Sequence, residues 1–473
     1  MLVAGVDSST QSTKVVLCDA DDGTVVGRGS APHPPGTEVD PAAWWDALGQ
    51  AGAGLLDRAA AVGVAGQQHG MVVLDEAGKV IRPALLWNDL RSAGAAAELI
   101  GELGGRDGWA KTAGSVPTAS FTVTKLRWLA TAEPDAAARV RTVLLPHDWL
   151  TWRLAGAVPG AATTDRGDAS GTGYFSPASG EWLPGHLSAA LGHAAEVPRV
   201  AAPGEVVGEV AGAAGGAGGA AGGALLSAGT GDNMAAALGL GLAEGDVAIS
   251  IGTSGTAFAV STVAAADPSG AVAGFADATG RFLPLVCTIN AGLVLSAVAG
   301  LLGVSLDELS VLALQAGPGS GGLTLLPYFD GERTPDRPDA TGVLRGLTTG
   351  NATRPNLARA TVEAVLASLA EAAALLAASG ARPRRVLLIG GGARSGAVCR
   401  LAPGIFAAPV TVPEPEEYVA LGAARQAAWA LSGAAGPPDW PSRPATEYTG
   451  EPQPAVRQRH VALRDDTAGW PSR

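Results

Sequence analysis

The chain opens on an apolar run, Leu2-Val3-Ala4-Gly5-Val6, followed by a hydroxyl-rich stretch, Asp7 to Thr13, and a second apolar-rich run, Lys14 to Asp19. Short apolar runs bounded by turn chemistry predict buried strands, so this pattern predicts two strands joined by a polar turn. Val62–Gly66 and Met71–Leu74 predict further strands, and the spacing of Lys125, Trp128 and Leu129 predicts a helix over 124–132. The opening pattern returns past mid-chain: Asp246–Ile251 predicts a strand, Gly252–Thr256 a Gly/Ser/Thr turn, and Ala257–Val260 the return strand. Val386–Ile389 predicts a strand running into Gly390-Gly391-Gly392-Ala393-Arg394 and then a helix. Two halves that each open on a hydroxyl-rich hairpin form a weak internal repeat. They predict an α/β protein of two domains, 1–244 and 245–473, with a Pro-rich surface tail from about 437.

Composition narrows the class. A length of 473 residues suits two or three domains, and 47% hydrophobic with 16% charged residues excludes a disordered chain. Lys+Arg 32 against Asp+Glu 44 gives a net charge of −12, which argues against a general nucleic-acid or membrane-surface binder but allows one anionic substrate in a local positive pocket. Cys18, Cys287 and Cys399 are too few and too scattered for a disulfide framework or a zinc site and suit a reducing compartment. The opening residues lack a basic leader and Asp7 interrupts them, unlike a signal peptide. The Ala/Gly stretch 211–229 carries too little apolar surface to insert into a bilayer. The expectation is a cytoplasmic enzyme with no nucleic-acid or membrane partner; a homodimer is permitted, not demanded. With Gly 67 in the chain, a motif must carry more than glycine to count.

Tight turns of Gly, Ser and Thr aim several backbone N–H groups in one direction and add hydroxyl donors, which suits phosphate oxygens. Thr10, Gln11 and Ser12 in the first turn, with Lys14 beside it, and Gly252, Thr253, Ser254 and Thr256 in the second are candidate phosphate ligands. Each alone also fits an ordinary hairpin. Asp7 can hold Mg²⁺, which prefers oxygen ligands, or can simply brace the turn. In Gly229-Thr230-Gly231-Asp232-Asn233 the carboxylate stands where a helix begins; it is a candidate general base or an N-cap. Gly390, Gly391, Gly392, Ala393 and Arg394 suit a nucleotide lying on the backbone, and Gly390-x-Gly392-x-x-Ser395 with Glu414 also imitates a dinucleotide-binding pattern. Gln68 and His69, and Trp87, Asn88 and Asp89 with Arg91, offer donors and acceptors fit for a polyol, and fit for a polar loop.

These features, taken in order, resemble the FGGY carbohydrate kinases. Ser120–Thr131, with Thr122, Lys125, Leu126, Trp128 and Leu129, is similar to the family's first signature and departs from it at Ala132. Gly342–Leu347, Asn356-Leu357 and Ala360–Glu363 are similar to the second. The resemblance implies a two-domain actin/hexokinase-like ATPase fold of ribonuclease H-like duplicated domains with an interdomain cleft. It implies ATP and Mg²⁺, Asp232 as catalytic base with Asn233 beside it at the sugar, the turns at 7–14 and 252–256 as phosphate motifs, and 390–394 as the adenosine motif. It implies phosphorylation of a ketopentose, D-xylulose first, with ribulose, glycerol or gluconate as other acceptors. Gln68-His69 occupies the ketose-recognition position, where Met-His is frequent, and Asp7-Ser8-Ser9-Thr10 replaces a more usual Gly-Thr turn. A non-catalytic nucleotide switch of the actin or chaperone kind shares the two hairpins but has no acceptor sugar.

Overall fold

The fold was obtained as a computed structural model that describes residues 1–212, 222–381 and 383–470. The centre of the Ala/Gly stretch, 213–221, lies outside these residues. Each apolar run of the opening pattern is a strand: Leu2–Ser8 pairs antiparallel with Ser12–Asp19, which pairs with Val25–Pro32. The intervening turn is shorter than expected, since Ser9 N–H donates to Ser12 C=O at 3.1 Å and Asp7 stays in the strand. On its other side Leu2–Ser8 runs parallel to Ala61–Gly66, which runs parallel to Leu225–Ser227, itself antiparallel to Val206–Glu209.

A second sheet repeats this arrangement. Asp246–Ile251 pairs antiparallel with Gly255–Ala259, which pairs antiparallel with Phe282–Thr288. On the other side Asp246–Ile251 runs parallel to Arg385–Ile389, then Val410–Pro413 follows in parallel and Ala445–Tyr448 in antiparallel. The duplication is therefore complete strand for strand in these six positions. It also corrects the reading of a tail after 437: Ala445–Tyr448 closes the sheet, and the helix Pro454–Asp466 buries Val456, His460 and Leu463.

The chain divides into two compact units, Met1–Leu242 with Thr262–Leu283 and Glu416–Ser442, and Ala243–Ser261 with Pro284–Pro415 and Arg443–Arg473. One cut near 244 does not describe this division, because the helix Tyr418–Ser432 belongs to the first unit. Small residues explain its place. A Cβ on Gly5 would lie 1.9 Å from Ala420 C=O, and one on Gly63 would lie 2.2 Å from Ala423 C=O. The opposite face of this helix meets the helix Asp232–Gly239, where a Cβ on Gly422 would lie 1.8 Å from Ala235 C=O. Glycine at these sites is thus a packing requirement. The other face of the first sheet is covered by Pro41–Gly52, which starts with Asp40 accepting from Ala42 N–H at 2.9 Å and buries Trp44, Leu48 and Ala51. In the second unit the helix Arg354–Ala378 is long and apolar enough to cross a membrane, but 78% of its apolar window is buried inside the structure, so its apolarity serves a core.

Gly422→Ala is expected to lower the free energy of unfolding by about 1–3 kcal/mol, the usual cost of overpacking a close contact. Urea unfolding measures it; an unchanged midpoint would contradict the close approach of these two helices.

Candidate active site

Three parallel strand ends place the polar residues of the first unit. Asp7 lies level with Ala65, and Ala65 is level with Thr230; one step on, Ser8, Gly66 and Gly231 are level. The chain then leaves each strand on the same edge, delivering Ser9, Gln67-Gln68 and Asp232 together. In α/β sheets such carboxyl ends are where ligands bind.

Asp232 is the first residue of its helix, and Gly231 takes the cap position with no side-chain hydrogen bond. The N-cap alternative for Asp232 therefore falls away. Its Oδ1 instead accepts from the backbone N–H and the Nδ2 of Asn233, both at 2.8 Å. Asn233 Nδ2 also donates to Gln68 Oε1 at 3.0 Å, which ties Gln68 to the carboxylate. Gln68 is buried, and its Nε2 has no partner among the described residues. Asp232 keeps partial exposure, as a carboxylate that meets a substrate requires. Burial, then the nearby charges of Asp7 and Asp168, push its pKa up to about 7. Asp7 is pushed up to about 6, mainly by burial, against a hydrogen bond from Ser9 and the charge of Lys14.

The first turn is braced from two sides. Trp87 Nε1 donates to Thr10 Oγ1 at 2.8 Å, so the indole sits against the turn while its ring stays exposed. Beneath the turn, His33 Nε2 lies 2.8 Å from Thr13 Oγ1. Lys14 is in the strand, and the Nζ of its half-exposed side chain meets Glu417 Oε2 at 2.7 Å. Asn88 Oδ1 is buried without a partner among the described residues. His69 adopts a left-handed backbone (φ 68°), its Nδ1 lies 2.6 Å from Gly171 C=O, and its ring packs at a tilt of 36° against Phe121. Phe121 and Thr122 belong to the first signature, whose Thr122 Oγ1 donates to His69 C=O at 3.0 Å. That signature thus supports the 68–69 loop.

In the second unit, Ser250 is level with Ile389 on parallel strands, so the turn at 252–254 and the glycine turn at 390–394 leave the sheet side by side. A Cβ on Gly392 would lie 2.3 Å from Ile251 Cγ2, which fixes glycine there. Thr253 and Ser254 are exposed, and Gly252 and Thr253 C=O accept the N–H groups of Gly292 and Leu293. Gly391–Arg394 forms a tight 3-10 turn, and the following helix begins only at Gly396. A dinucleotide turn feeds its helix directly, so that alternative loses support.

A cluster that sequence reasoning missed lies behind Asp232: His147, Asp148, Asp165 and Asp168, all buried. His147 Nδ1 is 2.6 Å from Asp168 Oδ2, and its Nε2 is 3.3 Å from Asp148 Oδ1. Burial opposes charge on His147, but Asp148 and Asp168 outweigh it and raise its pKa to about 9. Burial raises both carboxyls. The dense polar run Thr163-Thr164-Asp165-Arg166-Gly167-Asp168 was the available signal, since so many polar residues beside apolar neighbours need internal partners.

Comparison with known proteins follows the same outline. The family model for the FGGY carbohydrate kinase N-terminal domain matches residues 2–239, and that for the C-terminal domain matches 247–431. A xylulose kinase of Streptomyces coelicolor is 50% identical over 440 residues, spanning 91% of this chain and 88% of the relative. A xylulose kinase of Escherichia coli is 35% identical, spanning 83% of this chain and 82% of the relative. The crystal structure of a xylulose kinase from Bifidobacterium adolescentis superposes with a TM-score of 0.91 at 48% identity, covering 98% of this chain and 99% of the other.

The raised pKa of His147 predicts a pH dependence. Its stabilising contribution is complete below its unfolded value of 6.5 and is lost as pH rises through about 9. The melting-temperature gap between wild type and His147→Gln should therefore shrink between pH 6.5 and 10 in a thermal-shift series; a constant gap would contradict a charged His147.

Proposed function

The chain belongs to the FGGY family of carbohydrate kinases, and from that premise we propose that it transfers the γ-phosphoryl group of ATP to the 5-hydroxyl of D-xylulose, with Asp232 as general base. The relatives named xylulose kinase, at 50% identity and, for a solved structure, 48%, support this sugar. The observation that carries the mechanism is the tethered, partly open carboxylate of Asp232 beside Gln68.

Phosphoryl transfer asks a protein chiefly for positioning and charge stabilisation. Asn233 holds Oδ1 of Asp232 with two donors, so the carboxylate faces the acceptor in one orientation. The sugar hydroxyl gives up its proton to this carboxylate late, as its oxygen bonds to phosphorus. The Nε2 of Gln68, without a partner among the described residues, offers a donor to a sugar oxygen, with His69 beside it in the chain. Thr10, Gln11 and Ser12, and in the second unit Gly252, Thr253, Ser254 and Thr256, offer N–H and hydroxyl donors to phosphate oxygens, while Gly390–Arg394 leaves backbone open for adenosine. The buried carboxylate of Asp7, whose pKa is held high mainly by burial, is an all-oxygen donor that fits Mg²⁺. When bound, Mg²⁺ supplies neutralisation of phosphate charge; Asp7 would hold it directly or through water.

Asp232→Ala should reduce sugar phosphorylation at least a thousandfold (on the order expected for loss of general base plus positioning) while leaving ATP binding intact by calorimetry. Retention of a tenth of wild-type turnover would refute the assigned role. Because a base must be ionised, kcat/KM for the sugar should fall as pH drops below about 7. A profile flat from pH 5 to 8 would contradict it. Gln68→Met should change the sugar KM more than the ATP KM, and a panel of xylulose, ribulose, glycerol and gluconate should rank xylulose first; equal KM changes, or another acceptor leading, would overturn the sugar assignment.

A further inference from the structure

The buried cluster behind the active site touches the segment carrying Asp232 at three points without touching Asp232 itself. The His147 ring packs on Gly229, whose φ of 72° and missing Cβ make room for it: a Cβ there would lie 2.5 Å from His147 Cδ2. Asp165 Oδ2 accepts from Thr230 Oγ1 at 2.8 Å. Gly167 lies under Met234, where a Cβ would come within 2.8 Å of Met234 Cγ. The contacts thus fall three and two residues before Asp232 and two residues after it.

Asp165 is the hub. Besides Thr230 it accepts from Gly167 N–H and Asp168 N–H, each at 2.8 Å. Asp168 in turn is bonded to His147, and His147 wedges between two of the parallel strand ends, with its backbone N 2.9 Å from where a Gly66 Cβ would lie. Gln426 Nε2 holds Gly229 C=O at 3.0 Å from the opposite side. An apolar side chain could fill this volume. What a carboxylate with three converging donors adds is direction, because hydrogen bonds fix orientation where dispersion does not. His147 supplies the positive partner that such a group of buried carboxylates requires.

We propose that Asp165 is a positioning residue for phosphoryl transfer: through Thr230 it fixes the backbone from which Asp232 projects, and the His147–Asp168 pair locks Asp165 in place. The proposal rests on the reading of Asp232 as the base. Its logic is that an error of about 1 Å in a reacting group can cost on the order of a hundredfold in rate with little change in binding.

The test compares Thr230→Val, which keeps shape and loses the hydroxyl, with Thr230→Ser, which keeps it. Phosphorylation is measured with Mg·ATP and D-xylulose on the full chain. Thr230→Val should lower kcat about ten- to a hundredfold, with both KM values within about threefold of wild type, and Thr230→Ser should stay within about threefold of wild-type kcat. Asp165→Asn should match Thr230→Val, and the double variant should be no more than about twofold slower than the slower single one, as expected when two changes break one bond. Equal kcat for Val and Ser, a rise in KM at constant kcat, or multiplying effects in the double variant would each overturn the proposal. So would about one equivalent of tightly held transition metal in the purified protein by mass spectrometry, since His147 and the carboxylates would then be a ligand set. If Thr230→Val does not fold, Asp165→Asn in the same assay decides alone. Asp232→Ala, run in parallel, reports separately on the base: retained turnover there sinks that reading whatever the Thr230 pair shows.

Discussion

The register of three parallel strands is the constraint on which the first unit's chemistry depends. Leu2–Ser8, Ala61–Gly66 and Thr230–Gly231 end within one residue of each other. A slip of one position in any of them would turn its side chains to the opposite face of the sheet. Aligned as they are, three segments far apart in sequence release Asp7, Gln68 and Asp232 at one edge. The electrostatic consequence follows directly. Burial raises the pKa of both Asp7 and Asp232, and at Asp232 the nearby charge of Asp7 adds to it. A site that strains against its own negative charge is prepared to receive cationic or proton-donating company.

The second sheet uses the same scheme with different cargo. Its parallel ends carry a hydroxyl turn and a glycine turn in place of acidic residues. The duplicated topology gives a common backbone frame, and the side chains at equivalent strand ends differ: carboxylates and amides in one unit, hydroxyls and glycines in the other. Function here lies in the ends of strands, and the frame that presents them is common to both.

Several of these features are legible in the sequence and others are not, for physical reasons. The paired hairpins, the strand before Gly390 and the place of Asp232 follow from apolar runs and turn residues, which are local signals. Lys14 lies next to the turn in sequence, and its pairing with Glu417, 403 residues on, is a tertiary contact with no local signal. Trp87 reads as a sugar contact or as part of a polar loop, and its bond to Thr10 Oγ1 is a tertiary contact that no local pattern announces. The His147–Asp168 pair is 21 residues apart in sequence, and no periodicity announces a charge pair made by tertiary folding. The glycines discounted as composition include Gly5 and Gly422, where the contact that forbids a side chain comes from a distant helix.

That distant helix, Tyr418–Ser432, has a bearing on how the protein comes into being. It lies against the two central strands of the first unit, yet it is translated more than 400 residues after the first of them begins. During vectorial synthesis the glycine-lined face of Leu2–Ser8 and Ala61–Gly66 must wait, uncovered, while nearly all of the remaining polypeptide emerges. Domains usually mature in order from the ribosome; here the first to appear cannot be finished before the second has been almost wholly made, and a nascent chain arrested after residue 242 would display a bare apolar surface to any chaperone nearby.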